Sequence, residues 1–280
     1  FDGTGIYAQN STLMVTQAAG TDRCLFDGSQ QGIWIRSAVG PSIVQHADFN
    51  LHFIAYGIRY EMPQSNTYIQ FEDNTFNLLR TSRAAIFVQR PAATANISNS
   101  RIANNHIIVA EGSTSASCQL RPLIQVQGNV GGLNILEISN NQIENFSECY
   151  NAHGIYIDGF GDQYEINQNL VEFLGDANRI GTVSPEHNAL GIVFTDMPGT
   201  YNKIEGNSVI SRLQPDGVSG NDKNRHSFIK CGIHVVNCYA PTICDNYLSN
   251  TYRGVHFGDL NPETVFGSNS MNAHVFGLEC

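Results

Sequence analysis

Three aspartates close apolar segments of the same form, and their chemistry suits catalysis. Asp158 ends GIYID, Asp196 ends GIVFTD and Asp259 ends GVHFGD, while Asn237 takes the matching place in GIHVVN. If neighbouring segments stack as parallel strands, Asp158 and Asp196 lie ~5 Å apart, the carboxylate spacing of a retaining glycosidase. Asp158 comes four residues after its glycine and Asp196 comes five, so regular strands would turn the two side chains to opposite faces. A catalytic acid pair therefore requires a bend.

Two histidines form a second set of reactive groups. His234 and His256 take the same place in GIHV and GVHF. Imidazoles so placed can transfer a proton or bind a metal, with Asp259 as a partner, or they are ordinary exposed histidines. The sequence holds no HExxH, no Ser-His-Asp order and no phosphate-binding glycine loop, which leaves proteolysis and nucleotide chemistry without support. We expect no cofactor and no metal.

All of these residues belong to a repeated phrase in which a small or apolar anchor residue precedes Ile, Leu or Val. The interval between anchors runs from 22 residues, between Gly232 and Gly254, to 41 residues, between Gly191 and Gly232. A repeat of this length predicts a solenoid. The anchors are Gly5, Gly32, Gly57, Ala85, Leu123, Gly154, Gly191, Gly232, Gly254 and Gly277.

A second phrase, apolar-x-x-Asn-x-apolar, recurs between the anchors. An Asn tolerates left-handed backbone and bonds neighbouring amides, so each phrase predicts a corner between two strands. Stacked corners would place the Asn side chains ~4.8 Å apart, close enough for each amide to bond the next. The predicted ladder contains Asn74, Asn105, Asn141, Asn169, Asn207, Asn246 and Asn269.

Short strands with no amphipathic helix between them fit neither leucine-rich nor βαβ repeats. The chain resembles the right-handed parallel β-helix superfamily, which includes pectate-lyase-like enzymes, NosD-like carbohydrate-binding proteins and the shafts of phage tailspikes. The resemblance covers residues 5–280 and implies an all-β fold, a single right-handed parallel β-helix of about nine to ten coils. We treat residues 1–280 as one domain and expect it to be a segment of a longer protein. The catalytic motifs of the pectate-lyase-like and polygalacturonase-type enzymes have no counterpart here.

Alternation along each anchor strand predicts which side chains face the core. One inward column is Ile6, Ile33, Ile58, Ile86, Ile124, Ile155, Ile192, Ile233 and Val255, and a second runs from Ala8 and Ile35 to Val235 and Phe257. The outward column between them is Tyr7, Trp34, Arg59, Phe87, Gln125, Tyr156, Val193, His234 and His256. Exposed rings in a line suit stacking on sugars or packing against another subunit, although strand propensity alone also favours them. We predict Trp34, Phe87 and Tyr156 as substrate-binding residues, with Arg253 beside them.

Three long insertions, at 108–122, 174–190 and 211–230, enter before anchor strands. Because the coil period is constant, they should emerge from one edge, where binding loops usually reside. Cys118 and Cys149 each lie five residues before an anchor on neighbouring coils, a spacing that permits a disulfide. We expect most of the other cysteines to be buried free thiols.

The composition limits the partners. A formal net charge of −10 and only three lysines argue against nucleic acid, and no apolar run is long enough for membrane insertion. Strand repeats run to both ends without a polar cap, which predicts flanking domains or stacked copies, with a homotrimer favoured. The leading hypothesis is an extracellular or virion-surface module that binds a polysaccharide or cell-surface glycan, with cleavage by Asp158 and Asp196 as an extension. The alternatives are a structural shaft without catalysis and a free polysaccharide lyase or glycoside hydrolase.

Overall fold

The chain is a parallel β-helix. A computed structural model contains 26 strands, and all of its strand pairs are parallel. No helix occurs among the residues that the structure describes. These residues are 3–17, 22–28, 31–52, 56–61, 63, 67–79, 82–90, 99–110, 122–128, 135–146, 153–159, 163–173, 189–197, 199, 201–211, 229–259 and 261–279.

The hydrogen-bond register divides the strands into three columns, which we call the first, second and third faces. The first face contains β1 (Thr4–Gln9), β4 (Gln31–Arg36), β7 (Tyr56–Glu61), β10 (Ala84–Arg90), β13 (Ile124–Gly128), β16 (Ile155–Asp158), β19 (Leu190–Thr195) and β22 (Cys231–Val236). The second face contains β2 (Leu13–Val15), β5 (Ser42–Gln45), β8 (Ile69–Glu72), β11 (Ser100–Ala103), β14 (Ile135–Ser139), β17 (Gln163–Asn167), β20 (Lys203–Glu205), β23 (Thr242–Cys244) and β25 (Val265–Gly267).

The third face contains β3 (Cys24–Asp27), β6 (Ala47–Leu51), β9 (Thr75–Leu78), β12 (His106–Val109), β15 (Gln142–Asn145), β18 (Leu170–Phe173) and β21 (Ser208–Ser211). Two long strands, β24 (Tyr247–Gly258) and β26 (Ser270–Glu279), begin on the third face and continue on the first. The first face therefore has ten strands, which agrees with the predicted number of coils.

The predicted inward columns are confirmed by the register of the first face. Ile155 pairs with Ile192, and Ile192 pairs with Ile233, so residues distant in sequence lie in one file. All three side chains are completely buried. Since each isoleucine packs on the one before it, the core continues from coil to coil through the stack.

The anchor glycines recur because there is no room for a side chain where the coils stack. A Cβ on Gly57 would lie 2.5 Å from the Phe76 ring of the third face and 2.6 Å from the carbonyl oxygen of Ala85 in the next coil. Gly32 meets Phe49 and the carbonyl of Gly57 in the same way. The glycine therefore faces the core, and so does the isoleucine that follows it.

The predicted Asn ladder is confirmed. The Asn105 side-chain amide donates to Oδ1 of Asn141 at 2.9 Å, Asn141 donates to Asn169 at 2.9 Å, and the series runs from Asn74 to Asn269. The backbone N–H of each donating Asn is also bonded to the Oδ1 of the next, which satisfies the buried corner.

The backbone of the ladder residues differs from the prediction. The left-handed residue at each corner is the one before the ladder Asn, not the Asn itself. Asn104 and Asn140 have φ values of 54°, and Asp73 and Asp245 have φ values of 56°. The ladder Asn begins the next run of extended backbone, from which its amide reaches the neighbouring coil.

Several predictions fall on parts of the chain outside the described residues. These are most of the three insertions, Cys118, Cys149 and Cys280. Of the described cysteines, Cys231 and Cys238 are buried free thiols, as expected, whereas Cys24 and Cys244 are free and partly exposed. Within the described ranges, no helix has the length and apolar character needed to cross a membrane.

Candidate functional site

The outer side of the first face carries a line of aromatic and cationic side chains in its early coils. The Tyr7 and Trp34 rings lie with their centroids 5.0 Å apart, and the Arg59 guanidinium lies 4.9 Å from the Trp34 ring and 5.3 Å from the Tyr56 ring. The Tyr56 and Phe87 rings are 5.2 Å apart. We call these five residues the aromatic row.

Three hydrogen bonds fix the orientation of the aromatic row. Glu61 accepts from Trp34 Nε1 at 3.0 Å and from Arg59 Nε at 2.7 Å, and the Tyr7 hydroxyl donates to Gln9 at 2.8 Å. Tyr7 has 48% of its surface exposed, so its ring is open to solvent. The row thus presents preoriented ring faces beside polar groups.

Phe87 does not have the exposure that was predicted for it. Only 7% of its surface is accessible, because the Tyr56 ring packs on it. The prediction of a continuous exposed column was wrong at this position. Phe87 therefore packs against Tyr56, and Tyr56 is the more exposed of the two rings.

Tyr56 belongs to a second outward column that the sequence reading missed. Because the anchor glycine and the following isoleucine both face the core, alternation fails there and the residue before the glycine turns outward. Leu190, Cys231 and Arg253 occupy this place in consecutive coils, with Leu190 paired to Cys231 and Cys231 paired to Arg253. His153 precedes Gly154 in the same way. The signal was available in the sequence as the residue before each anchor.

In the later coils the two outward columns enclose a pocket of about 250 Å³. We call it the basic pocket because five of its lining residues are His153, Lys230, His234, Arg253 and His256. Leu190 and Cys231 complete the wall. The Cys231 thiol donates to the carbonyl of Ile233 at 2.9 Å, and burial raises its pKa to about 12, so it is a neutral wall group.

His234 and His256 meet in this pocket, as predicted from their equivalent positions. Their rings stack with centroids 4.7 Å apart, and the two Nδ1 atoms are 2.8 Å apart. The acidic partner is Glu279, whose Oε2 lies 3.7 Å from His256 Nε2, and not Asp259. Burial, followed by the charges of His256 and nearby cations, lowers the pKa of His234 to about 4, and burial lowers that of His256.

Arg253 lies in the pocket and forms an ion pair there. Its partner is Glu279, at 2.5 Å between Nε and Oε2. The two atoms make an ion pair without the alignment of a hydrogen bond. Arg253 lines the pocket, and Glu279 contacts it through Arg253 and His256.

The aspartates adjoin the pocket on the other side. Asp158 pairs with Thr195, and Asp196 follows at φ 56°, so the required bend is present at Asp196. Burial and then the negative charge of Asp196 raise the pKa of Asp158. Asp196 accepts a hydrogen bond from the Asn237 amide at 2.7 Å. Asp196, Asn237 and Asp259 share this left-handed turn position, whereas Asp158 lies in the strand.

Tyr156 joins the aspartates to the basic pocket. Its hydroxyl donates to Asp158 Oδ2 at 3.5 Å, and its ring lies nearly parallel to that of His153, with centroids 6.1 Å apart. Burial and the two nearby carboxylates raise the pKa of Tyr156. The structure thus brings together five predicted residues: Asp158, Asp196, Tyr156 and, through His153, the pair His234 and His256.

One group of potential metal donors occurs among the described residues, and it is elsewhere. Ligand atoms of Glu205, Cys244 and Asp245 lie within 4.8 Å of one another, at the end of the second face. Both acids are exposed, so they are ordinary solvated groups as they stand. We assign no ion to them.

The chain matches no family model, no curated protein and no solved structure. The parallel β-helix is therefore established by its own register and ladder.

Proposed function

We propose that this chain is a carbohydrate-binding β-helix module of an extracellular or virion-surface protein, resembling the pectate-lyase-like and tailspike-like members of the right-handed β-helix superfamily. The observation that carries the proposal is the aromatic row. Ring faces at coil spacing, held by Glu61 and Gln9, match the apolar faces of successive sugar rings, and the exposed Gln9 amide can bond sugar hydroxyls.

The test is binding of the purified chain to immobilised polysaccharides from bacterial surfaces and plant cell walls. Tyr7→Ala and Trp34→Ala should each weaken binding about 10-fold, because a stacked ring contributes roughly 1 kcal/mol or more. Tyr247→Ala is the matched control, since Tyr247 lies on the third face with 46% exposure against 48% for Tyr7.

Unchanged binding in both variants would contradict a sugar-binding role for the aromatic row. Loss of oligomers in Trp34→Ala, without any glycan bound by the wild type, would favour the structural shaft instead. A homotrimer is the assembly we expect.

Glycan cleavage is a second candidate, favoured by the raised pKa of Asp158 beside Asp196. In that role Asp158 donates a proton to the leaving oxygen, and the Asp196 carboxylate serves as nucleophile or base. New reducing ends should form from a bound polysaccharide and should fall at least 100-fold in Asp158→Asn, while binding persists. Equal activity in Asp158→Asn would exclude this assignment, and the same substitution at exposed Asp245, at the end of the second face, is the control.

A further inference from the structure

The basic pocket has a charge opposite to that of the protein. The chain has a formal net charge of −10 and only three lysines, yet five basic side chains face one pocket of about 250 Å³. Among the described residues, Glu279 is the acid that contacts this group, through Arg253 and His256. Lys230 and Arg253 carry positive charge in this pocket, so both would attract an anion there.

The contact between the two histidines limits where their protons can be. Nδ1 atoms 2.8 Å apart form a hydrogen bond only if one of them carries a hydrogen. The Glu279 carboxylate near His256 Nε2 favours a hydrogen on that nitrogen, which leaves His256 Nδ1 as the acceptor. His234 then donates from Nδ1, and its Nε2 holds a lone pair.

A free lone pair on His234 repels an anion, whereas a protonated Nε2 attracts it and donates a hydrogen bond. The groups around the histidine pair are Lys230, Arg253 and His153, which oppose protonation, and Glu279, which favours it on His256. A bound anion would shift this balance towards the protonated form. Binding and proton uptake at this site are therefore linked.

We propose that the basic pocket binds an oxyanion group, the class that includes carboxylate, sulfate and phosphate, and that His234 takes up a proton as it binds. Lys230 is exposed at the mouth and supplies a cation. This site is separate from the aromatic row, so the proposal does not depend on sugar stacking there.

The first experiment follows the histidine ring protons by NMR as sulfate or glucuronate is added, with glucose as the neutral control. Long-range nitrogen spectra of the free protein should show His234 protonated at Nδ1 and His256 at Nε2. Addition of either anion, at about 50 mM, should raise the titration midpoint of His234 from near 4. Affinity should increase by up to about 10-fold for each pH unit lowered towards that midpoint.

Variants locate the site. Lys230→Gln and His234→Gln should weaken sulfate and glucuronate binding at least 5-fold, and His234→Gln should also remove the proton uptake measured by calorimetry in two buffers. Lys203→Gln and His52→Gln are the matched controls, because both residues are exposed and lie outside the pocket.

If glucuronate binds more tightly than sulfate, the proposal is supported and the oxyanion group belongs to an anionic sugar. If sulfate binds more tightly than glucuronate, the proposal is supported and the ligand is a free oxyanion. The proposal would be overturned if neither anion moved the His234 resonance, if glucose moved it equally, or if binding took up no proton. These outcomes do not depend on the aromatic row, so they would stand even if Tyr7→Ala and Trp34→Ala left polysaccharide binding unchanged.

Discussion

His153 is a partly buried imidazole whose environment favours the neutral ring. Its Nδ1 accepts a hydrogen bond from the backbone N–H of Leu190 at 3.1 Å, and protonation of that nitrogen would break the bond. Burial lowers the pKa of His153 to about 4, below its ordinary value of 6.5. The side chain lines the basic pocket, so the same burial that shapes the pocket makes the fold sensitive to acid.

This depressed pKa predicts that the protein loses stability as the pH falls from 6.5 to 4. The unfolded chain binds a proton at His153 below pH 6.5, whereas the folded chain does so only near pH 4, so acid favours unfolding. The loss should reach about 3 kcal/mol. Urea unfolding across this range measures it.

The variant His153→Gln keeps an acceptor for Leu190 but cannot titrate. Its free energy of unfolding should change less with pH than that of the wild type. His234 acts in the same direction, so the difference between the two proteins isolates His153. His52→Gln, which alters an exposed histidine, should leave the wild-type dependence intact, and an equal pH dependence in wild type and His153→Gln would contradict the assignment.

At the scale of the element, seven of the ten anchors are glycines at which a Cβ would lie within 3 Å of a backbone carbonyl of the next coil. The carbonyl cannot rotate away as a side chain could, since it belongs to a hydrogen-bonded strand. The ladder Asn residues work alongside these glycines, because their buried amides lose several bonds if they are replaced. Glycine and asparagine thus determine the spacing of the coils, and the isoleucine columns fill the space between them.

Gly57→Ala should therefore destabilise the protein by about 3 kcal/mol, the upper range for overpacking a filled core. Its new methyl group would meet Phe76 and the Ala85 carbonyl. Gly277→Ala is a matched control from the same repeated phrase, because a Cβ there has nothing within 4 Å, and it should change stability by less than about 0.5 kcal/mol. If Gly57→Ala and Gly277→Ala changed the free energy of unfolding in urea equally, the close approach of Gly57 to the next coil would not limit stability.

At the scale of the whole molecule, one outer surface carries two different chemistries. The outward column runs from Tyr7 to His256 over nine coils, roughly 40 Å at the spacing of parallel strands. Its early coils present the aromatic row, and its later coils present the aspartates and the basic pocket. A chain-like ligand lying along this surface would pass from stacking contacts to charged groups, which is how we expect a polysaccharide to bind.

The repeat, the inward columns and the Asn ladder could all be predicted from the sequence alone. Side chains alternate between the two faces of a strand, and equivalent residues stack from coil to coil. Both effects give a periodic pattern of residue types, which is visible in the sequence. The equivalence of His234 and His256 came from the same reading, as did the requirement for a bend at the aspartates.

Which residues share the pocket, and how far each is exposed, depends on packing in three dimensions. The alternation breaks at anchors such as Gly57 and Gly191, where the glycine and the following isoleucine both face the core. The residue before each anchor can be read from the sequence, but its outward direction follows only from this packing. That break turns His153, Cys231 and Arg253 outward. Glu279 reaches the histidines from another coil, because stacking joins residues that the chain keeps apart.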